Sequence, residues 1–197
     1  MKVAVIGAGS WGTTLANLLA GKGEQVSLWA WESEVADQIN KEHVNEAFLP
    51  VVRLDPALAA TNDIEECVRN ASVVLTVCPS HTLREVLNSA AARIELGATV
   101  VNASKGIETG TLERMSEVVA EVVPPEKRVR YVVLSGPSFA SEVARRRPTV
   151  ITAASADERA AGFVQQLFST GYLRVYKHDD VVGVELGGAL KNVIAIA

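Results

Sequence analysis

The sequence predicts an α/β protein built on a doubly wound, mostly parallel sheet. Short, almost wholly apolar runs recur along the chain, as strands buried on both faces require. Stretches with helical spacing lie between them, the alternation expected of parallel strands joined by crossover helices. A third observation fixes the beginning. The run Val3-Ala4-Val5-Ile6 leads directly into Gly7-Ala8-Gly9-Ser10-Trp11-Gly12, a G-x-G-x-x-G turn.

Each glycine of that turn has a physical task. Gly7 allows the tight exit from the strand, Gly9 lets backbone approach a pyrophosphate, and Gly12 lets the next helix pack close to the sheet. The free N–H groups and dipole at the helix start face the anion. Thr13 to Ala20 reads as that helix, with Leu15, Leu18 and Leu19 on one face. Gln25 to Ala30 reads as the second strand. Glu32 follows it, 20 positions after Gly12, where a dinucleotide fold places the carboxylate that binds the adenosine ribose.

Further strands are expected at 72–77, closed by Pro79, and at 98–102, 131–134, 149–152 and 172–176. Helical stretches fall near 63–69, 81–93, 111–122 and 156–168, the last capped by Ser155 with Asp157-Glu158 in its first turn. Phe48-Leu49-Pro50 sits in a longer connection with little periodicity. From Asp179 the pattern turns helical and apolar, through Val181, Val184, Leu190 and Ile194, with no stop signal before Ala197. A helix this apolar needs a covering partner. The expected organisation is therefore a dinucleotide-binding domain over 1–178, followed at 179–197 by the first helix of a truncated, all-α substrate domain.

Composition narrows the function. A net charge of −4 gives no general attraction for nucleic acid or anionic membranes, and no apolar run approaches the roughly 20 residues of a membrane span. Met1-Lys2 leads straight into the first strand, without space for a signal peptide, so a cytoplasmic location is expected. Cys67 and Cys78 are too few and too far apart for C-x-x-C chemistry and read as small buried hydrophobes. His43, His81 and His178 lack metal-ligand spacing and read as surface or loop residues; no metal is expected. Arg145-Arg146-Arg147 reads as a solvated helix end, since no aromatic platform for nucleic-acid bases accompanies it.

Three polar clusters stand at predicted strand ends, where open α/β sheets bind ligands. In the first, Lys105 either meets phosphate or a carbonyl oxygen, or is an ordinary solvated loop lysine. In the second, Ser135-Gly136-Pro137-Ser138 lacks the spacing of a nucleophile elbow. It either turns N–H groups and the Ser138 hydroxyl toward a ligand or is a plain turn and cap. The third places Lys191 and Asn192 in an apolar helix, where a charge is costly without a task or a route to water. Gly187-Gly188 permits a close approach there, and Glu185 either pairs with this region or faces solvent.

Taken together, the chain resembles the NAD(P)-dependent glycerol-3-phosphate dehydrogenases, most of all the bacterial type. The blocks GAGSWGTTLA, FLP, CPSH, NASKGIE, LSGPSFASEVA and ELGGALKNVIAIA carry the resemblance from end to end. It implies a Rossmann-like fold and hydride transfer between a nicotinamide and C2 of dihydroxyacetone phosphate, giving sn-glycerol 3-phosphate for phospholipid synthesis. By the same resemblance Lys191 is the proton donor and acceptor, and Lys105 a second electrostatic contact to nicotinamide and substrate. Gly136, Ser138 and Asn192 match substrate contacts. Gly7, Gly9, Ser10, Trp11, Gly12, Trp31, Glu32, Lys105 and Ala140 match cofactor contacts.

Two departures bear on that inference. Trp31 stands where bacterial members often carry an arginine suited to the 2′-phosphate of NADP. With Glu32 beside it, NAD(H) is favoured over NADP(H), because the carboxylate repels a 2′-phosphate. Val51 stands where members commonly have glycine. The resemblance also implies a phosphate-gripping domain beyond this segment, so residues 1–197 alone are expected to turn over negligibly. A homodimer is one assembly it allows for the full-length protein. Ketopantoate reductases and β-hydroxyacid dehydrogenases are the alternative enzymes of this architecture, and a non-catalytic dinucleotide sensor is an alternative of another class.

Overall fold

The computed structural model describes residues 1–197, the side chain of Asn192 excepted. Strands β1 (Lys2–Ile6), β2 (Gln25–Trp29), β3 (Ala59–Thr61), β4 (Val73–Thr76), β5 (Thr99–Asn102), β6 (Arg130–Ser135), β7 (Thr149–Ala154) and β8 (Leu173–His178) form one sheet. Its order is β3-β2-β1-β4-β5-β6-β7-β8, and every pairing is parallel except β6 with β7. The helices are α1 (Ser10–Gly21), α2 (Ser33–Glu42), α3 (Ile64–Val68), α4 (Leu83–Ala91), α5 (Met115–Val122), α6 (Ala140–Ala144), α7 (Glu158–Phe168) and α8 (Val181–Ile196). Strand order reverses between β1 and β4, so a crevice opens beyond their carboxyl ends.

Alternation along the strands sends side chains into two separate cores. In β1, Val3 and Val5 join Leu15, Leu19, Ile39, Val164 and Phe168 on one face. Ala4 and Ile6 join Leu83, Leu87, Ile94, Met115 and Val118 on the other. Helix α1 has Gly9 at its N-cap and no side-chain cap, which costs only a few tenths of a kcal/mol. Burying Leu15, Leu18 and Leu19, at about 1.5–3 kcal/mol each, outweighs that several-fold. The helix N-terminus can therefore be left open toward the crevice.

The predicted strands and long helices are present, with differences that have physical reasons. Residues 81–82 and 111–114 precede their helices. Thr82 Oγ1 and N donate to Pro79 O in a turn, and Ile107 bridges to Arg114 across a loop. Asp157, and not Ser155, caps α7, its carboxylate accepting from Arg159 N and Ala160 N; Ser155 instead donates to Tyr131 O at 2.6 Å. Strand β3, helix α2 and helix α6 are additional. β3 is three residues of Ala-Ala-Thr, with Thr61 alone supplying a branched side chain of the kind that marks a strand. In α2 the buried face is only Val35, Ala36 and Ile39. His178 ends β8 as an exposed strand residue, not a loop.

The connection from α2 to β3 is fastened to the glycine turn. Buried Asn45 donates to Ala8 O (2.9 Å) and Thr13 Oγ1 (2.8 Å) and accepts from Phe48 N (3.1 Å). Further along, Val51 takes φ +59 while 93% exposed. That left-handed conformation is natural for glycine and unfavourable for a β-branched residue, by about 1–2 kcal/mol. Glycine's extra unfolded-state freedom returns roughly half of this. Val51→Gly is therefore expected to stabilise the domain by about 1 kcal/mol, raising Tm by about 2–4 °C in a thermal melt. A lower Tm would contradict the assigned conformation.

Candidate active site

The glycine turn is built from contacts no other residue could make. Gly7 has φ +117, and a Cβ there would lie 2.8 Å from Val77 O. A Cβ on Gly12 would lie 1.9 Å from Gly7 O, so α1 can approach β1 only with glycine at that position. At Gly9 the same direction is open space. Gly7, Ala8 and Gly9 form one wall of a cleft of about 760 Å³, which continues past Phe48 and Cys78 to Trp31 and Glu32. Trp31 is 76% exposed and stands edge-on to Trp29 at 6.1 Å. Burial pushes the Cys78 thiol pKa up, so it contributes to the cleft as a neutral apolar group.

The three polar clusters converge at the other end of the turn. Thr76 Oγ1 donates to Asn102 Oδ1 (3.0 Å), and Asn102 Nδ2 donates to Ser104 O (3.1 Å). These bonds fix the exit of β5, from which Lys105 projects and donates to Gly136 O at 3.0 Å. The Lys105 ammonium also lies 5.9 Å from the Trp11 ring centre. Lys191, reaching in from α8, places its ammonium 5.6 Å from the Phe139 ring and beside that of Lys105. Among the described residues, the Ser138 hydroxyl and the Trp11 indole N–H are both buried without a hydrogen-bond partner. A buried donor without an acceptor is costly unless a ligand supplies one.

The remaining expected residues are placed differently from one another. Ser10 Oγ donates its proton to Phe48 O at 2.5 Å, so this hydroxyl holds the loop and keeps only its acceptor side for a ligand. Ala140 O accepts from Thr14 Oγ1 at 3.3 Å, which brings the start of α6 against α1. The Asn192 side chain lies outside the described residues. Sequence reasoning missed Asn45, Asn102 and the fourfold bonding of Glu185, which is buried and not solvent-facing. Asn102 opens the first polar cluster at the end of a strand, but its bonding role there carried no signal. It also missed the clamp on loop 106–114, where Arg84 forks onto buried Glu108 and reaches Glu113 and Glu121.

Strand order, switch-point cleft and glycine turn together define a Rossmann-like dinucleotide domain. A family profile described as NAD-dependent glycerol-3-phosphate dehydrogenase N-terminus matches residues 2–161. Glycerol-3-phosphate dehydrogenase (NAD(P)+) of Geobacter metallireducens is 55% identical over 196 residues, covering all of this chain and 58% of its own. The enzyme of that name from Lactiplantibacillus plantarum is 48% identical over 198 residues. A crystal structure of glycerol-3-phosphate dehydrogenase from Coxiella burnetii superposes with a TM-score of 0.91 at 36% identity, over 99% of this chain and 59% of that one. The chain belongs to the NAD-dependent glycerol-3-phosphate dehydrogenase family, and it spans 58% of the Geobacter relative's length. No helix among the described residues is long and apolar enough to cross a membrane.

Burial first, and then the like charge of Lys191, push the Lys105 amine down to about 8 from its ordinary 10.5. In the unfolded chain the amine keeps its ordinary value. Between about pH 8 and pH 10.5 the unfolded state thus binds more protons, and this group makes stability rise with pH. Lys105→Met removes that contribution. Urea unfolding across the window should show wild type gaining stability relative to the variant as pH rises. A difference that does not change with pH would contradict the burial of this ammonium.

Proposed function

We propose that this chain is the cofactor-binding and lysine-bearing part of an enzyme that interconverts dihydroxyacetone phosphate and sn-glycerol 3-phosphate with a nicotinamide dinucleotide. One observation carries the reading: Lys105, over the Trp11 ring on the helix that leaves the glycine turn, and Lys191, over the Phe139 ring, come together from distant segments. The fit of the dinucleotide rests on the cleft itself. Its volume falls within the about 300–1,000 Å³ usual for small-molecule sites. Gly9 leaves space for a pyrophosphate, the uncapped start of α1 offers N–H groups to it, and Trp31 with Glu32 suits an adenosine.

A reduced nicotinamide bound in the cleft supplies the hydride that C2 of the ketone accepts. The Lys191 ammonium stabilises the negative charge growing on the ketone oxygen and gives it a proton; in oxidation the neutral amine takes that proton back. Lys105 adds a second positive charge on the same side, held by Gly136 O and the Trp11 face. The Ser138 hydroxyl has no internal partner among the described residues and serves a substrate oxygen. Gly136 is already an acceptor for Lys105 and Ser138 N, so it shapes the pocket through its carbonyl. Residues 179–197 are read as the opening of a second, helical domain that completes the phosphate site. The two buried cysteine thiols suit a reducing cytoplasm.

Four measurements test this reading. A complete polypeptide carrying this segment should oxidise NADH with dihydroxyacetone phosphate, and should fail with ketopantoate. Residues 1–197 alone should bind NADH, quenching Trp31 fluorescence, yet turn over negligibly; efficient reduction by that segment would contradict the two-part site. In the complete polypeptide Lys191→Ala should lower kcat by about 10²–10⁴-fold and leave dinucleotide affinity in place. For the cofactor, Glu32 at the cleft predicts a higher kcat/KM with NADH than with NADPH, and a strong NADPH bias would refute it.

A further inference from the structure

Helix α8 is held to the sheet domain in an unusual way. Val182, Leu190, Val193, Ile194 and Ile196 are exposed, and Glu185 is its single buried side chain among the described residues. The Glu185 carboxylate, 4% exposed, accepts four hydrogen bonds from three residues of the sheet domain. Ser116 N (2.8 Å) and Tyr131 Oη (2.7 Å) bond one oxygen, while Arg114 Nη1 (2.9 Å) and Ser116 Oγ (2.7 Å) bond the other. An apolar residue of similar size could fill the same space, and ion pairs of this kind often add little net stability. Hydrogen bonds do what apolar contact cannot: they fix both rotation and register.

Register matters because the same ridge carries a lysine toward the polar corner. Glu185, Gly188 and Lys191 stand at i, i+3 and i+6, a continuous row winding along the helix. At Gly188 an added Cβ would lie 2.5 Å from Ser135 Oγ and 3.9 Å from Lys105 Cγ, so the helix lies flush against the strand end. One further turn along, Lys191 meets Phe139 and Lys105. A slip of one residue at Glu185 would rotate Lys191 by about 100° away from that corner.

We propose that Glu185 is a positioning residue that sets where the Lys191 ammonium stands, through the rigid helix between them. The inference rests on the reading of Lys191 as proton donor, and the test separates the two. In the complete polypeptide, Glu185→Gln leaves one acceptor oxygen where two served four donors. It should lower kcat by about 10²-fold, as small displacements of a catalytic group do, with dinucleotide affinity kept. The deciding comparison is the double variant with Lys191→Ala. If Glu185 works through Lys191, Glu185→Gln costs nothing further once that amine is gone. An equal loss in both backgrounds would overturn the proposal and leave Glu185 as a fold determinant only. Full kcat in Lys191→Ala alone would instead strike the reading of Lys191, and this inference with it. Tyr131→Phe removes a single bond and leaves the carboxylate in place, so it applies the same comparison with less risk to folding. Its kcat loss should also vanish in the Lys191→Ala background.

Discussion

Two ammonium groups held side by side in a half-buried corner are the constraint around which this structure is organised. Like charges at close range repel, and burial strengthens the repulsion by removing the water that screens it. Burial first, and the neighbouring Lys191 charge second, hold the Lys105 pKa down. The bond to Gly136 O and the face of Trp11 offset part of the cost for Lys105, and the face of Phe139 does so for Lys191, as aromatic quadrupoles do for cations. None of these partners is an anion. The corner therefore stays electrostatically unfinished, which suits the phosphoester and developing alkoxide of the proposed reaction.

Holding such a corner together takes rigid support from several elements. Strand β5 delivers Lys105 through the Thr76–Asn102–Ser104 bonds. Strand β6 delivers Gly136 and Ser138, and α8 delivers Lys191 against the Glu185 anchor. The Arg84 fork onto Glu108 braces the loop just beyond Lys105. On the other side, Asn45 ties the loop after α2 to the glycine turn. Cleft and corner thus share one frame: the glycine turn lines the first, and Trp11, on the helix that leaves that turn, borders the second.

Much of this was legible in the sequence, for identifiable reasons. The strands with long apolar runs could be read directly, because burial on both faces leaves only one way to write them. The glycine turn was readable because close backbone approach admits no alternative residue at Gly7 and Gly12. Lys105 could be suspected as a charge just after an apolar strand and Lys191 as one within an apolar helix, but composition alone did not say that they meet. Their proximity depends on a chain reversal through β6 and β7, the one antiparallel pairing, which local patterns do not record. Asn45, Arg84 and Glu185 were illegible for the same reason: each acts on partners tens of residues away. β3 and α6 were missed because they are too short for a periodicity to accumulate.

The most decisive measurement is a crystal structure of the complete polypeptide with a nicotinamide dinucleotide and dihydroxyacetone phosphate bound. The ketone oxygen should lie about 3 Å from Lys191 Nζ, with C2 facing the nicotinamide and Lys105 on the same side of the substrate. A substrate bound elsewhere, with the Lys191 ammonium turned to solvent, would contradict the assignment of this corner as the reaction centre.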